Sequence, residues 1–295
     1  VKSLFSATAV TRLQDGRFIL ATTHQGLFLR EQNTWKCLLT GFTKRIRDLH
    51  SDGKIIYGVG DEGIFIRSMD GGESWDVQRF PTKASSWNVC SDGEGLVIAH
   101  GDKVIYMSHN FGLTWKVVRP FVHVGVHAPS IRSLFLHRNQ LFIGTKIHPV
   151  YGGVWVLQVE TGEIRCIKKE RDKMVSAITV SNGYIVVGSG ACRGKSGNIS
   201  FCRLGEIYNQ QNIQWRTCRS EEQENSYLDL RGDGEALYTT STQNEKGIST
   251  VSRICLEEER IATCGLIQGH GWRMAIEKDA YFIAGSTQSI SSSFF

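Results

Sequence analysis

The chain is poor in proline, with four in 295 residues. That argues against a Pro-rich linker or a low-complexity tail. No apolar run approaches the roughly 18 residues that a membrane-spanning helix requires. No signal-peptide pattern opens the sequence, although a start at Val1 leaves room for a leader or for a larger protein of which this is a sensor domain. The 3.6-residue periodicity of long amphipathic helices is missing, which argues against coiled-coil assembly. None of the eight cysteines forms a CxxC pair, so no zinc ribbon is expected. Cys37, Cys90, Cys166, Cys202, Cys218, Cys255 and Cys264 fall in strand-like runs and Cys192 in a loop, as buried free thiols of a reducing, cytoplasmic compartment would. Cys255 and Cys264 could also face each other across one hairpin, leaving one disulfide open. Charge of one sign is not dominant: 34 Lys and Arg against 29 Asp and Glu give a net +5.

What the chain does have is a repeated octapeptide. Ser68-Met-Asp70-Gly-Gly72-Glu-Ser74-Trp75 and Ser108-His-Asn110-Phe-Gly112-Leu-Thr114-Trp115 share the pattern Ser-x-Asp/Asn-x-Gly-x-Ser/Thr-Trp. Each joins two short apolar runs. The short carboxylate or amide accepts backbone N–H groups of its own turn, the glycine supplies positive φ, and the tryptophan covers the start of the next strand. Two copies at blade-like spacing indicate a repeat array.

A second punctuation extends the array. Asp15-Gly16, Asp52-Gly53, Asp92-Gly93, Asn182-Gly183 and Asp233-Gly234 separate apolar runs, with Arg138-Asn139 and Lys278-Asp279 as weaker equivalents. Such dipeptides are strong hairpin signals. The count predicts seven blades of four strands over residues 1–295 as one domain: 7–42, 43–82, 83–129, 130–173, 174–224, 225–269, and 270–295 completed by 1–6. An N-terminal strand, Lys2-Ser-Leu-Phe5, would close the last blade. Glycine often opens the third strand, at Gly26, Gly63, Gly153, Gly197 and Gly247.

The octapeptides resemble the Asp-box, or BNR repeat, of sialidase-like and photosystem II assembly factor-like propellers. The resemblance implies an all-β propeller in the broad WD40/YVTN-like class of repeats. It does not imply a chemistry. The Phe/Tyr-Arg-Ile-Pro run of sialidases is absent; the nearest string is Lys44-Arg45-Ile46-Arg47. The arginine-rich Asn-Phe-Tyr signature of the photosystem II factors is absent too. So is the recurring Gly-His of WD40 arrays, and Arg193-Gly-Lys195-Ser196 lacks the remaining glycines of a P-loop.

In such a propeller the loops between blades and between second and third strands share one face. Those segments hold Lys44, Arg45, Arg47, Lys83, Trp87, Arg132, Lys146, Tyr151, Trp272 and Arg273, with several histidines. A basic, aromatic face attracts anionic partners, and Trp and Arg dominate binding hot spots. The expected binding residues are Arg45, Arg47, Trp87, Arg132, Tyr151, Trp272 and Arg273. Asp61, Glu62 and Asp102 are carboxylates on the same face, and Asp48 and Asp229 would line the channel in structural hydrogen bonds. His123 and His127 lie in a Pro-flanked, Gly-interrupted loop with no third metal ligand nearby.

The expectation is a non-catalytic scaffold propeller, without metal or cofactor, that binds a protein or other anionic partner through its basic, aromatic face. It would be a monomer, or part of a larger complex or multidomain chain. The alternatives are a lectin stacking sugars on Trp87, Tyr151 or Trp272, or an Asp-box glycoside hydrolase. Nucleic acid stays open as a partner, and membrane insertion is not expected.

Overall fold

The hairpin dipeptides turn as their residue types require. Asn182 and Gly183 both take positive φ, 48° and 77°, the backbone of a two-residue turn between twisted antiparallel strands. Asp92 accepts the N–H groups of Glu94 and Leu96 at 2.8 and 3.0 Å, closing an earlier such turn. The computed structural model describes residues 6–32, 34–41, 44–53, 55–191, 196–209, 212–220, 224, 226–232, 234, 236–277, 280–285 and 290–293.

These residues form an all-β propeller. Blade 1 runs Ala7–Arg12, Phe18–Thr22, Gly26–Glu31 and Thr34–Leu39 as one antiparallel sheet in chain order. Blade 2 is Ile46–Asp52, Ile55–Gly60, Ile64–Ser68 and Asp76–Arg79. Blade 3 is Val89–Ser91, Val97–His100, Ile105–Ser108 and Lys116–Val118. Blade 4 is Ile131–His137, Gln140–Thr145, Gly153–Gln158 and Ile164–Lys169. Blade 5 is Lys173–Ser181, Tyr184–Ala191, Ile199–Arg203 and Arg216–Thr217. Blade 6 is Tyr227–Gly232, Leu237–Ser241, Ile248–Cys255 and Arg260–Gln268, and Arg219–Ser220 pairs in parallel with its last strand.

Among the described residues the last sheet has three strands, Gly271–Glu277, Ala280–Gly285 and Ile290–Ser293. The expected seven four-stranded blades are therefore corrected to six complete ones. The turn at Lys278-Asp279 signals a hairpin but not the strands that must follow it. The expected closing strand Lys2–Phe5, the turn residues Asp233, Lys278 and Asp279, and Cys192, Arg193 and Lys195 lie outside the described residues.

The chain divides into two units, residues 1–120 with 273–295, and residues 121–272. In each, the core lies between consecutive sheets. In the first unit, Leu13, Ile19, Leu27, Leu49, Ile56 and Ile66 fill the space between blades 1 and 2. Tyr57, Phe65, Phe80 and Tyr106 fill that between blades 2 and 3, with Phe80 stacked on Tyr106 at 4.1 Å. Phe18 meets Phe282 at 4.0 Å beside Val10, Leu20 and Ala284. In the second unit, Phe142, Val154 and Val175 pack against Ile185 and Ile207, and Val186 and Phe201 against Leu230 and Ile254. Burying each such side chain contributes about 1.5–3 kcal/mol.

One irregularity recurs. The first hairpin of blades 1, 2, 4, 5 and 6 carries a register shift, between Ala7 and Ala9, Ile46 and Asp48, Ile131 and Ser133, Val175 and Ala177, and Tyr227 and Asp229. Each shift is a one-residue bulge, which re-aims the extra side chain. Those residues are Thr8, Arg47, Arg132, Ser176 and Leu228.

The described cysteines are free thiols, some of them exposed, including Cys37 and Cys264. Cys255 pairs with Arg260, while Cys264 is the unpaired residue of a bulge on the opposite strand. The two therefore do not face each other as the disulfide alternative requires. Among the described residues no helix is long and apolar enough to cross a membrane.

Candidate functional site

The bulge at Arg47 builds a site in the first unit. Its guanidinium lies over the Trp87 ring, 4.0 Å from the centroid. Its Nε donates to Asp61 Oδ1 at 2.5 Å, and the Ser85 hydroxyl donates to the same oxygen at 2.7 Å. A cation held over a tryptophan face is favourable by about 0.5–2 kcal/mol, more as water is excluded. Arg47 and Trp87 are both half-buried, so each keeps an open side.

The Trp87 backbone is clamped from two directions. Its N–H donates to His100 Nε2 at 3.1 Å, and His100 Nδ1 lies 2.6 Å from the Gly101 carbonyl. That pair of contacts selects the neutral tautomer with the proton on Nδ1. The Trp87 carbonyl accepts from an amino group of Arg273, whose Nε donates to Asp48 Oδ1 at 2.8 Å. Asp48 Oδ2 in turn accepts the Val89 N–H at 3.1 Å and the Asn88 side-chain amide at 3.3 Å. Asp48 and Arg273 are each 2% exposed. Their charges are satisfied within the protein, as buried charges must be.

The expected binding residues therefore separate. Arg45 is exposed beside Arg47 in sequence, and Arg47 and Trp87 are in contact. Arg273 is committed to Asp48 and offers no surface to a partner. Arg132, 4% exposed, occupies the blade 4 bulge equivalent to Arg47 but is buried. In the second unit Tyr151 is half-buried 5.6 Å from the His148 ring, and Trp272 lies 4.8 Å from His270. Burial lowers the pKa of His270, whose Nδ1 accepts the Gln243 N–H at 3.2 Å.

The carboxylates are paired. Glu62 accepts from Lys44 and lies 3.6 Å from Arg79. The Lys44 hydrogen bond holds the Glu62 carboxyl below the usual range, the reverse of what a general acid needs. Asp229 contacts Arg231 at 3.2 Å. Among the described residues no group of three His, Cys, Asp or Glu side chains could hold a metal ion.

The Asp-boxes close on themselves. Ser68 Oγ donates to Asp70 and accepts the Gly72 N–H, both at 2.8 Å. Asp70 accepts the Ser74 N–H at 2.9 Å and the Ser74 hydroxyl at 2.5 Å. The Trp75 indole N–H reaches the Gly72 carbonyl at 3.0 Å. Asn110 repeats the arrangement, accepting the Thr114 N–H and donating to the Thr114 hydroxyl, both at 2.9 Å. Gly72 and Gly112 have φ of 98° and 79°.

Sequence reasoning missed the joining of Arg47 to Asp61, Ser85 and the His100–Trp87–Arg273–Asp48 chain. A signal was present. Ile46-Arg-Asp-Leu49 and Ile131-Arg-Ser-Leu134 place Arg at the same step of two blades, where strict alternation would bury it in the sheet.

Over 283 residues the chain is 36% identical to the uncharacterized protein YkuO of Bacillus subtilis strain 168, across 95% of this chain and 93% of YkuO. The chain belongs to the YkuO family. No protein-family model matches it. The YkuO-family fold is similar to that of YCF48 from Cyanidioschyzon merolae, with a TM-score of 0.73 at 15% identity over 100% of this chain and 97% of YCF48. It is also similar to YCF48 bound to D1 peptide, with a TM-score of 0.68 at 13% identity over 100% and 95%. The GH74 xyloglucanase of Xanthomonas campestris superposes with a TM-score of 0.75 at 11% identity, over 98% of this chain but 52% of the enzyme. At these identities the likeness is one of fold.

Proposed function

We propose that this YkuO-family chain is a non-catalytic binding propeller that recognises an acidic segment of a protein partner through Arg45, Arg47 and Trp87. The Arg47–Trp87 stack carries the reading. Its guanidinium is positioned through Nε before any partner arrives, so a carboxylate would take the terminal nitrogens of an already oriented fork. Pre-positioning reduces the ordering cost of binding, and a half-buried Trp–Arg pair has the composition of a hot spot. That a propeller of the same fold, YCF48, occurs bound to a peptide supports a protein partner. The ion-paired Asp61 and Glu62 support a binding role over hydrolysis.

The test is an array of acidic and neutralised peptides probed with wild type and with Arg45→Glu/Arg47→Glu, beside a glycan array. Acidic peptides should bind wild type at least about tenfold more tightly, with an affinity that falls as salt rises. Equal binding by both proteins, or binding of glycans alone, overturns the reading.

A further inference from the structure

In the second unit, the first hairpin of blade 4 ends in polar groups that the fold leaves unsatisfied. Gln140 opens the second strand at 6% exposure, yet its side-chain oxygen has no hydrogen-bond partner. Such an atom is costly to keep and calls for a reason. Register places its neighbours. Gln140 stands opposite His137 on the first strand and Gln158 on the third, and opposing residues of an antiparallel pair share one face. Phe142, two residues on, lies on that face and packs with Val156 and Ile207 in the core between blades 4 and 5. Arg165, opposite Val156 on the fourth strand, belongs to the same face.

The short helix Leu204–Tyr208 lies against this face. Its Ile207 carbonyl accepts from an amino group of Arg165. The Tyr208 hydroxyl is buried and, like the Gln140 oxygen, has no partner. The Tyr208 ring is 6.5 Å from the His137 ring, and the Arg138 guanidinium lies over it, 5.7 Å from the centroid. Gln140, Tyr208, Arg138 and Arg165 thus gather at one end of the core between blades 4 and 5.

Both arginines keep their charge uncompensated. A carbonyl and an aromatic face orient a guanidinium without neutralising it, and among the described residues neither Arg138 nor Arg165 forms an ion pair. Glu160 and Glu163, on the adjoining turn, are exposed and pair with neither. Glu206 instead accepts the Gln214 N–H at 2.8 Å. Burial lowers the pKa of Arg165, with no carboxylate to raise it. Burial, and then the Arg138 charge, push down the pKa of His137, which is therefore neutral at pH 7 and adds no charge.

We infer that Arg138, Arg165, Tyr208 and Gln140 form a binding site for a soluble phosphate group, free or as a monoester. Two uncompensated guanidinium charges match a dianion, and arginine meets phosphate oxygens with paired N–H donors. The Tyr208 O–H adds a donor. The Gln140 amide, with nothing bonding its oxygen, turns its NH2 group to the same place. Phosphate offers these donors three oxygens where a carboxylate offers two. The inference does not rest on the Arg47–Trp87 site, which belongs to the other unit.

The experiment titrates inorganic phosphate into the protein by isothermal calorimetry at constant ionic strength, with acetate as the comparator. The expected result is saturable binding of phosphate and a weaker response to acetate. Arg138→Gln, whose side chain is exposed, should weaken phosphate binding at least about tenfold. Tyr208→Phe should weaken it several-fold, and Arg45→Glu/Arg47→Glu should leave it unchanged. Gln140→Leu separates a ligand-binding amide from a structural one. Removing an unpaired buried polar atom should raise the Tm of the phosphate-free protein, whereas losing a structural amide would lower it. The same variant should bind phosphate several-fold more weakly. Absence of saturable binding, equal binding by wild type and Arg138→Gln, or a lowered Tm in Gln140→Leu overturns the inference. So does co-sedimentation with phosphatidic acid vesicles without a response to free phosphate, which would place the same chemistry on a lipid. Loss of binding only in Arg45→Glu/Arg47→Glu would assign the anion to the other site and overturn this one.

Discussion

Arg273 and Asp48 stand 225 positions apart, yet each satisfies the other's charge. Removing one partner strands a buried ion, which costs about 3–5 kcal/mol. Arg273→Met and Asp48→Leu should each lower stability by that much in urea unfolding. The double variant should recover most of the loss, giving a large coupling in the cycle. A charge reversal at Arg273 therefore reports on folding and not on partner affinity. The Asp-box residues follow a different logic, because their partners are local. Asn110→Ala removes an acceptor for the Thr114 N–H and should cost about 1–2 kcal/mol. Asp70 is an ion doing the work that Asn110 does while neutral. The Ser74 hydroxyl and N–H and the Ser68 hydroxyl lower its pKa to about 2. Because the folded value lies below the unfolded one, its contribution is present above pH ~4 and is lost as pH falls through about 2. Asp70→Asn should keep the turn and flatten the fall in Tm below pH ~4. An equally steep fall in that variant would contradict the assignment.

Among elements, the third strands show what a recurrent glycine meant. At Gly153, φ is 141° and an added Cβ would lie 1.9 Å from the Lys168 carbonyl oxygen. At Gly26, φ is 107° and the Leu39 carbonyl oxygen is 1.8 Å away. In both, the fourth strand crosses where a side chain would be. Gly247 shares the position in its blade, but only its φ of 76° resists substitution, since no atom lies within 4 Å. Gly153→Ala should therefore cost about 3 kcal/mol or more, and Gly247→Ala about 1 kcal/mol, in chemical denaturation. The glycine pattern was legible because it recurs at one step of the repeat. The two reasons behind it were not, because they depend on the neighbouring strand. The bulges left a fainter mark: Ile46-Arg-Asp-Leu49 sets two polar residues between two apolar ones, which breaks the alternation, but the extra residue is identified only when pairing sets Ile46 opposite Gly60 and Asp48 opposite Val59.

Across the molecule, fold class and repeat unit could be read from the sequence because each blade announces itself through contacts within about ten residues. The blade count could not, because a turn marks the first hairpin of a sheet and is silent about its later strands. The final segment stops at three strands among the described residues. The site was legible as residue types and lost as geometry. Arg45, Arg47 and Trp87 share a neighbourhood that loop position suggests, while Arg132 and Arg273, equally basic in sequence, turn inward to buried positions.

Arg219–Ser220 lies against the nine-residue outer strand of blade 6, with the Arg219 N–H on the Glu259 carbonyl at 2.6 Å. The chain's own connector thereby occupies the start of the slot where a foreign strand would zip on, opposite Arg260 and Ile261. Fibril templating or capture of an extended ligand by backbone pairing is obstructed at that end of the strand. The outer strands Thr34–Leu39, Asp76–Arg79, Lys116–Val118, Ile164–Lys169 and Arg216–Thr217 pair with no further strand among the described residues, so recruitment of that kind, and any aggregation that exploits it, meets no such cover there.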